Sequence, residues 1–316
     1  MKKHIIFRCF KKILKQPIYS DEFVQYWDQE ANDYIYHRIV DSNEGLMINK
    51  FGTTELDNIC CYLIKQSKIG IRGFIGALKG QYSFYEDAAL ENLCKLSGFF
   101  PSEIDYWYKY GEIAMKDLSE IDILASYLKP ESIVQPYMNC ETVNLDGFYA
   151  PFMWDNPWTK ALKGKRVLVI HPFVETIEKQ YEKRNLLFEN SEVLPEFSNL
   201  FLIKAVQSIA DNASTINFAS WFEALEFMEE KIDKIEFDVA LIGCGAYGME
   251  LAAYVKRKGK IAVQLAGWTQ MLFGIYGKRW IEDQPQYSKY INENWVRPSE
   301  NERPKGYIKV EGGAYW

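Results

Sequence analysis

The chain has 316 residues, 48% of them apolar and 25% charged, with a net charge of −6. That profile belongs to an ordinary globular α/β protein and excludes a disordered or low-complexity chain. No run of 18 or more apolar residues is present, and the body is acidic, so neither a membrane-spanning helix nor a nucleic-acid-binding surface is expected.

Residues 1–20, MKKHIIFRCFKKILKQPIYS, hold six Lys and Arg and no acid, which leaves the remaining chain near −12. Ile5, Ile6, Phe7, Phe10, Ile13 and Leu14 recur at helical spacing, so residues 1–19 read as a basic amphipathic segment. It suits either an anionic membrane surface or a first helix packed on the body, and its interrupted apolar run is not that of a signal peptide. The six cysteines (Cys9, Cys60, Cys61, Cys94, Cys140 and Cys244) show no metal spacing, as expected of structural thiols in a reduced, cytoplasmic protein.

Residues 20–316 read as one α/β unit. A helical, aromatic segment over Ser20–Arg38 precedes a strand over Leu46–Phe51, and the pattern turns helical from Leu56 to Gln66. Residues 70–130 read as a helical insertion, with helices over Phe84–Leu96 and Ile104–Leu128, followed by a strand candidate at Ser132–Met138. A strand at Arg166–Ile170, a helix at Glu175–Phe188, a strand at Leu200–Val206 and a helix at Ala219–Ile232 come next. The strand Val239–Ile242, the helix Met249–Lys258 and the strand Lys260–Leu265 close the alternation, and an aromatic tail over about 281–316 is expected to wrap the unit. Such alternation predicts a Rossmann-like parallel sheet with helices on both faces.

Ligands of such sheets bind beyond the carboxyl ends of the strands, and three ends carry unusual residues. Phe51-Gly52-Thr53-Thr54-Glu55 offers a glycine for close approach, two hydroxyls and a carboxylate at a helix start; Glu55 is either a helix-capping acid or a ligand for a metal or a sugar hydroxyl. His171-Pro172 ends a buried strand, where the imidazole is either structural, a phosphate donor or an acid–base group. Gly243-Cys244-Gly245-Ala246-Tyr247-Gly248 spells G-x-G-x-x-G between a strand and a helix, yet the next strand ends Gln264-Leu265-Ala266-Gly267-Trp268, without the acid that a dinucleotide ribose needs. The glycines either accommodate a phosphate or diphosphate or permit close strand–helix packing. After the last strand, Lys278, Arg279 and Trp280 could border a sugar- or diphosphate-binding edge. Neither a Ser-His-Asp order, a P-loop nor a zinc-hydrolase signature occurs.

Together, Phe51, Gly52, Glu55 and Leu56 with the late Gly-x-Gly-Ala-Tyr-Gly unit resemble the GT-D-type glycosyltransferases, above all the GT-D-like proteins found among bacterial surface-polysaccharide enzymes. Asn156-Pro157-Trp158, Val169-Ile170-His171-Pro172-Phe173, Ala205-Val206-Gln207-Ser208, Gln270-Met271-Leu272-Phe273-Gly274, Lys278-Arg279-Trp280, Trp295-Val296-Arg297-Pro298 and Val310-Glu311-Gly312-Gly313 carry the same likeness. It spans most of the chain from about residue 45, with little in 70–130. The resemblance implies a glycosyltransferase moving a sugar from a nucleotide-diphosphate sugar to a glycan or lipid-linked acceptor; joined to the basic segment, it gives the expectation of a cytoplasmic protein peripheral to the inner membrane face. Glu55 and His171 become the catalytic candidates, and Gly52, Thr53, Thr54, Gly243, Gly245, Tyr247, Gly248 and Arg279 the donor-binding ones. The family's Asp-x-Glu metal motif falls on Thr53 and Glu55; with Thr where the family has Asp, Mn²⁺ or Mg²⁺ dependence is in question and Glu55 is the one metal candidate. The alternative is a non-catalytic nucleotide- or glycan-binding scaffold of the same pathway.

Overall fold

A computed structural model of the chain describes residues 14–209 and 216–316. Most of the basic segment expected over 1–19 lies outside the described residues. Seven strands form one all-parallel sheet: β1 (Leu46–Asn49), β2 (Ile123–Ser126), β3 (Glu141–Asn144), β4 (Arg166–His171), β5 (Asn199–Lys204), β6 (Val239–Ile242) and β7 (Ile261–Gln264), in the spatial order β3-β2-β1-β7-β6-β4-β5. The fold is therefore α/β and Rossmann-like.

Two apolar layers cover the sheet. Met47, Leu168, Ile170, Ala240 and Ile242 face one of them, and Ile48, Val167, Val169, Leu241 and Val263 face the other, as alternate side chains of a doubly covered strand must. The helices Thr53–Lys65, Trp221–Ile232 and Gly248–Arg257 pack on the first face; Asp28–Asp41, Val174–Glu182 and Trp268–Leu272 pack on the second. β4 leads outward to β5 across the second face, whereas its neighbour β6 leads back to β7 across the first. The loops after β4 and β6 thus diverge, leaving a crevice of the kind that holds ligands in such sheets.

Three expected elements differ. The helix expected from Ser20 starts at Asp28, because residues 20–27 run beside β3: the N–H groups of Gln25 and Tyr26 donate to the Thr142 carbonyl at 3.1 Å, and Asn144 Oδ1 accepts the Asp28 N–H at 2.9 Å. The helix expected over Ile104–Leu128 ends at Asp117, and Ile123–Ser126 becomes β2, fully buried between β1 and β3. A short apolar run reads equally as helix or buried strand, and only its neighbours decide. The strand expected at Ser132–Met138 is a helical turn, Glu131–Val134, followed by a 3₁₀ turn, Gln135–Tyr137. Pro130 suits the start of that turn, and the Glu131 carboxylate accepts the Tyr127 and Leu128 N–H groups at 3.2 and 3.1 Å; the strand lies further on, as β3. The region 70–130 is thus helical only up to β2.

The tail is less extended than its composition suggests. It advances through short 3₁₀ turns at Pro285–Tyr290, Glu300–Glu302 and Tyr307–Lys309, and buries Trp295, Val310, Ala314 and Trp316. Its end is tied down by hydrogen bonds from the Lys278 and Arg279 N–H groups to the carbonyls of Trp316 and Ala314, at 3.2 and 2.9 Å.

Candidate functional site

All seven strands contribute residues at or just beyond their carboxyl ends to a single cavity of about 780 Å³, a size suited to a nucleotide-sized ligand. β1 supplies Lys50 and Gly52–Glu55, β2 Tyr127, β3 Asn144–Asp146, β4 His171, β5 Gln207 and Ser208, β6 Gly243–Gly245, and β7 Gln264 and Trp268; the tail closes it with Glu311, Tyr315 and Trp316. Of the residues expected from the sequence, Gly52, Thr53, Thr54, Glu55, His171, Gly243, Gly245, Tyr247 and Arg279 meet here, and Gly248 does not.

Glu55 lies in the first turn of the helix Thr53–Lys65, where the helix dipole favours a negative charge. Its carboxylate folds back over Gly52: a Cβ there would lie 1.8 Å from Glu55 Oε2, so glycine is what lets the acid take that position. Thr54 is also held in this turn, its carbonyl accepting from Asn58 Nδ2 at 2.8 Å.

Lys50, absent from the sequence-based candidates, directly follows β1. Its ammonium lies between two rings, 5.7 Å from the Tyr127 centroid and 5.6 Å from that of Tyr149, within cation–π range. Burial lowers its pKa to about 8, with the Arg279 charge adding to the shift and Glu55 opposing it. The Tyr127 hydroxyl donates to the Phe51 carbonyl at 2.7 Å and the Gln264 amide oxygen accepts the Lys50 N–H at 3.3 Å, so side chains from two neighbouring strands hold this loop. A lysine just after an apolar run is itself a strand-end signal, visible in the sequence two residues before Gly52.

Arg279 forms the second cation. Its guanidinium sits 4.5 Å over the Tyr315 ring, donates to the Tyr315 hydroxyl at 3.0 Å and pairs with Glu311. Lys278, its neighbour, turns away to Glu282 at 3.3 Å and does not line the cavity. Aromatic rings build the intervening wall: Tyr149 stacks on Trp268 at 5.0 Å, and Trp268 meets Tyr287 edge-on at 4.6 Å.

His171 is buried, and its Nδ1 accepts the Phe173 N–H at 3.0 Å, which places the ring proton on Nε2. Burial drives its pKa down to about 3. The imidazole is therefore neutral at pH 7, a hydrogen-bond donor and not a titrating acid–base group, which narrows the role that its place in the sequence suggested.

The glycine loop answers to packing at every glycine. A Cβ on Gly243 would lie 2.4 Å from the Ala266 carbonyl oxygen and 2.8 Å from the His171 ring; on Gly248, 2.7 Å from the Gln264 amide. Gly245 has φ +60°, and its Cβ would stand 2.7 Å from the Ser97 carbonyl oxygen. Tyr247 stacks on Trp221 at 5.1 Å and its hydroxyl lies 3.2 Å from Ser208 Oγ. Gly243, Cys244 and Gly245 still line the cavity, with the Gly243 N–H held by the Ile170 carbonyl at 2.9 Å.

A divalent ion finds few ligands. Among the described residues no group of three or more His, Cys, Asp or Glu side chains comes together. Glu55 is accompanied by the neutral hydroxyl of Thr53 and faces the charge of Lys50, an environment that disfavours a hard cation. The residues present do not fit the metal that the Asp-x-Glu pattern would hold.

No family model matches the chain, and no curated protein or solved structure matches it either. Among the described residues no helix is long and apolar enough to cross a membrane.

Proposed function

We propose that the protein is a glycosyltransferase that takes a nucleotide-diphosphate sugar in this cavity and passes the sugar to a glycan or lipid-linked acceptor, working peripherally at the inner membrane face. The observation that carries this reading is the meeting of the Glu55 carboxylate with two cations, Lys50 and Arg279, the second of them also paired with Glu311, in an aromatic-walled cavity over the strand ends. Glycosyl transfer needs those parts: positive charge where the diphosphate leaves, and a carboxylate beside the reacting sugar.

Lys50 and Arg279 would hold the diphosphate and stabilise the charge that builds on it as its bond to the anomeric carbon breaks. The acceptor hydroxyl oxygen forms the new bond to that carbon, and its proton passes to Glu55. His171 Nε2 and the backbone N–H groups of Cys244 and Gly245 would donate to donor oxygens, and the rings of Tyr149, Trp268 and Tyr287 suit a flat sugar or base face. Cations supplied by the protein take the place of a metal, in keeping with Thr53 where a metal-binding Asp would stand.

A panel of nucleoside diphosphates and their sugars, with and without Mn²⁺, tests this by thermal shift. At least one should raise the melting temperature without Mn²⁺; a flat response across the panel removes the donor site.

A further inference from the structure

The helix Gly70–Leu78 reverses the usual amphipathic arrangement. Its small residues Gly73, Gly76 and Ala77 are buried, and a Cβ on Gly73 or Gly76 would come within 2.6 Å of Ile69 or 2.1 Å of the Tyr82 hydroxyl oxygen. Its large residues point outward: Ile71 is 76% exposed, Phe74 41% and Ile75 44%. Their spacing sets them on one helix face. Facing glycine inward and isoleucine outward forgoes burial that the opposite orientation would supply, so this face is built for a cover from outside.

Its surroundings say which cover. The chain has no acid from Gln66 through Tyr85, and that stretch carries Lys68, Arg72 and Lys79 in a protein of net charge −6. Lys68 and Arg72 are exposed. The Gln16 N–H donates to the Lys79 carbonyl at 2.9 Å, which joins the start of the described chain to the end of this helix; the sequence up to that point adds Lys2, Lys3, Arg8, Lys11, Lys12 and Lys15 without an acid. Three residues after Gln16, at most about 11 Å of chain, Tyr19 lines the cavity while remaining 67% exposed, which marks the cavity mouth. A second copy docked face to face would bring like charges together, whereas an anionic lipid surface complements them.

We propose that this helix is an interfacial membrane contact: Ile71, Phe74 and Ile75 enter the headgroup boundary of an anionic bilayer, and Lys68, Arg72 and Lys79 meet lipid phosphates. The contact holds the cavity mouth at the membrane surface, where a lipid-linked acceptor presents its headgroup. Only the acceptor depends on the transferase reading; the bilayer contact does not.

Flotation of the full chain with vesicles of phosphatidylcholine alone, or mixed with phosphatidylglycerol, tests it. The protein should float with the anionic vesicles and not the neutral ones, and the double variant Ile71→Ser, Ile75→Ser should bind about tenfold more weakly at an unchanged melting temperature. In Phe74→Trp, the difference emission spectrum against wild type should shift to the blue when anionic vesicles are added. Wild type that fails to float, a double variant that floats as well as wild type, or an indole insensitive to vesicles overturns the proposal. So does a concentration-dependent dimer that the double variant abolishes. Nucleotide-induced thermal shifts are read without vesicles, so either reading can fail alone.

Discussion

The loops after β1 and β6 looked alike in the sequence: each follows a buried strand, carries glycine and opens a helix. In the fold they differ in what their glycines serve. Gly52 makes room for a charged side chain of the site, the carboxylate of Glu55. Gly243, Gly245 and Gly248 make room for other parts of the protein: the Ala266 and Ser97 carbonyls and the Gln264 amide. A glycine-rich strand–helix turn is thus weak evidence of a phosphate site until the space beside each missing Cβ is known, whereas a short loop bearing charge can be the chemical centre.

The sharpest way to break that comparison is to remove the charge of Glu55. Glu55→Gln keeps the shape of the β1 loop and should lower transfer about a thousandfold at an unchanged fold, as loss of a general base does. Full activity by a product assay would take Glu55 out of the mechanism and put the two loops back on equal terms.

Gly245→Ala comes next and should act on stability. A side chain at φ +60° facing a carbonyl oxygen at 2.7 Å should cost about 3 kcal/mol, read as a lower melting temperature. If the variant melts like wild type but no longer answers to nucleotides, the β6 loop is a ligand cradle after all.

Lys50→Met should give the smallest effect and one of mixed sign. Nucleoside diphosphate affinity should fall about tenfold, near 1.4 kcal/mol, while the melting temperature at pH 7 rises, because a cation that burial disfavours is gone. The wild type should show the matching pH dependence. Its Lys50 is protonated below about 8, so diphosphate affinity holds below that pH and declines as pH rises through it. Folding responds oppositely: with the folded pKa below the unfolded one, the cost of burying the charge is full below about 8 and fades as pH climbs toward the unfolded value. Titration calorimetry across this range checks the first effect and thermal melts the second; affinity that ignores pH would remove Lys50 from the anion site.

Much of the site was legible because strand ends are. The buried runs at β1, β4, β6 and β7 announce themselves by apolar, β-branched sequence, and that pattern alone sets Gly52–Glu55, His171 and Gly243–Gly245 at one edge. Lys50 carries the same positional signal but is less conspicuous than Thr53, Thr54 and Glu55. Tyr127 and Asn144 were out of reach, since β2 and β3 are short strands whose runs resemble a helix end and a loop.

What the sequence by itself determined is the alternation that makes a parallel α/β sheet, and the residues at its strongest strand ends. Only the tertiary structure decided the partners. The Ser97 carbonyl beside Gly245, the Tyr149 ring beside Lys50 and the Tyr315 hydroxyl on Arg279 come from segments 36 to 148 residues away. Strand periodicity is local and survives in the sequence, whereas a contact between distant segments depends on the sheet order that brings them together.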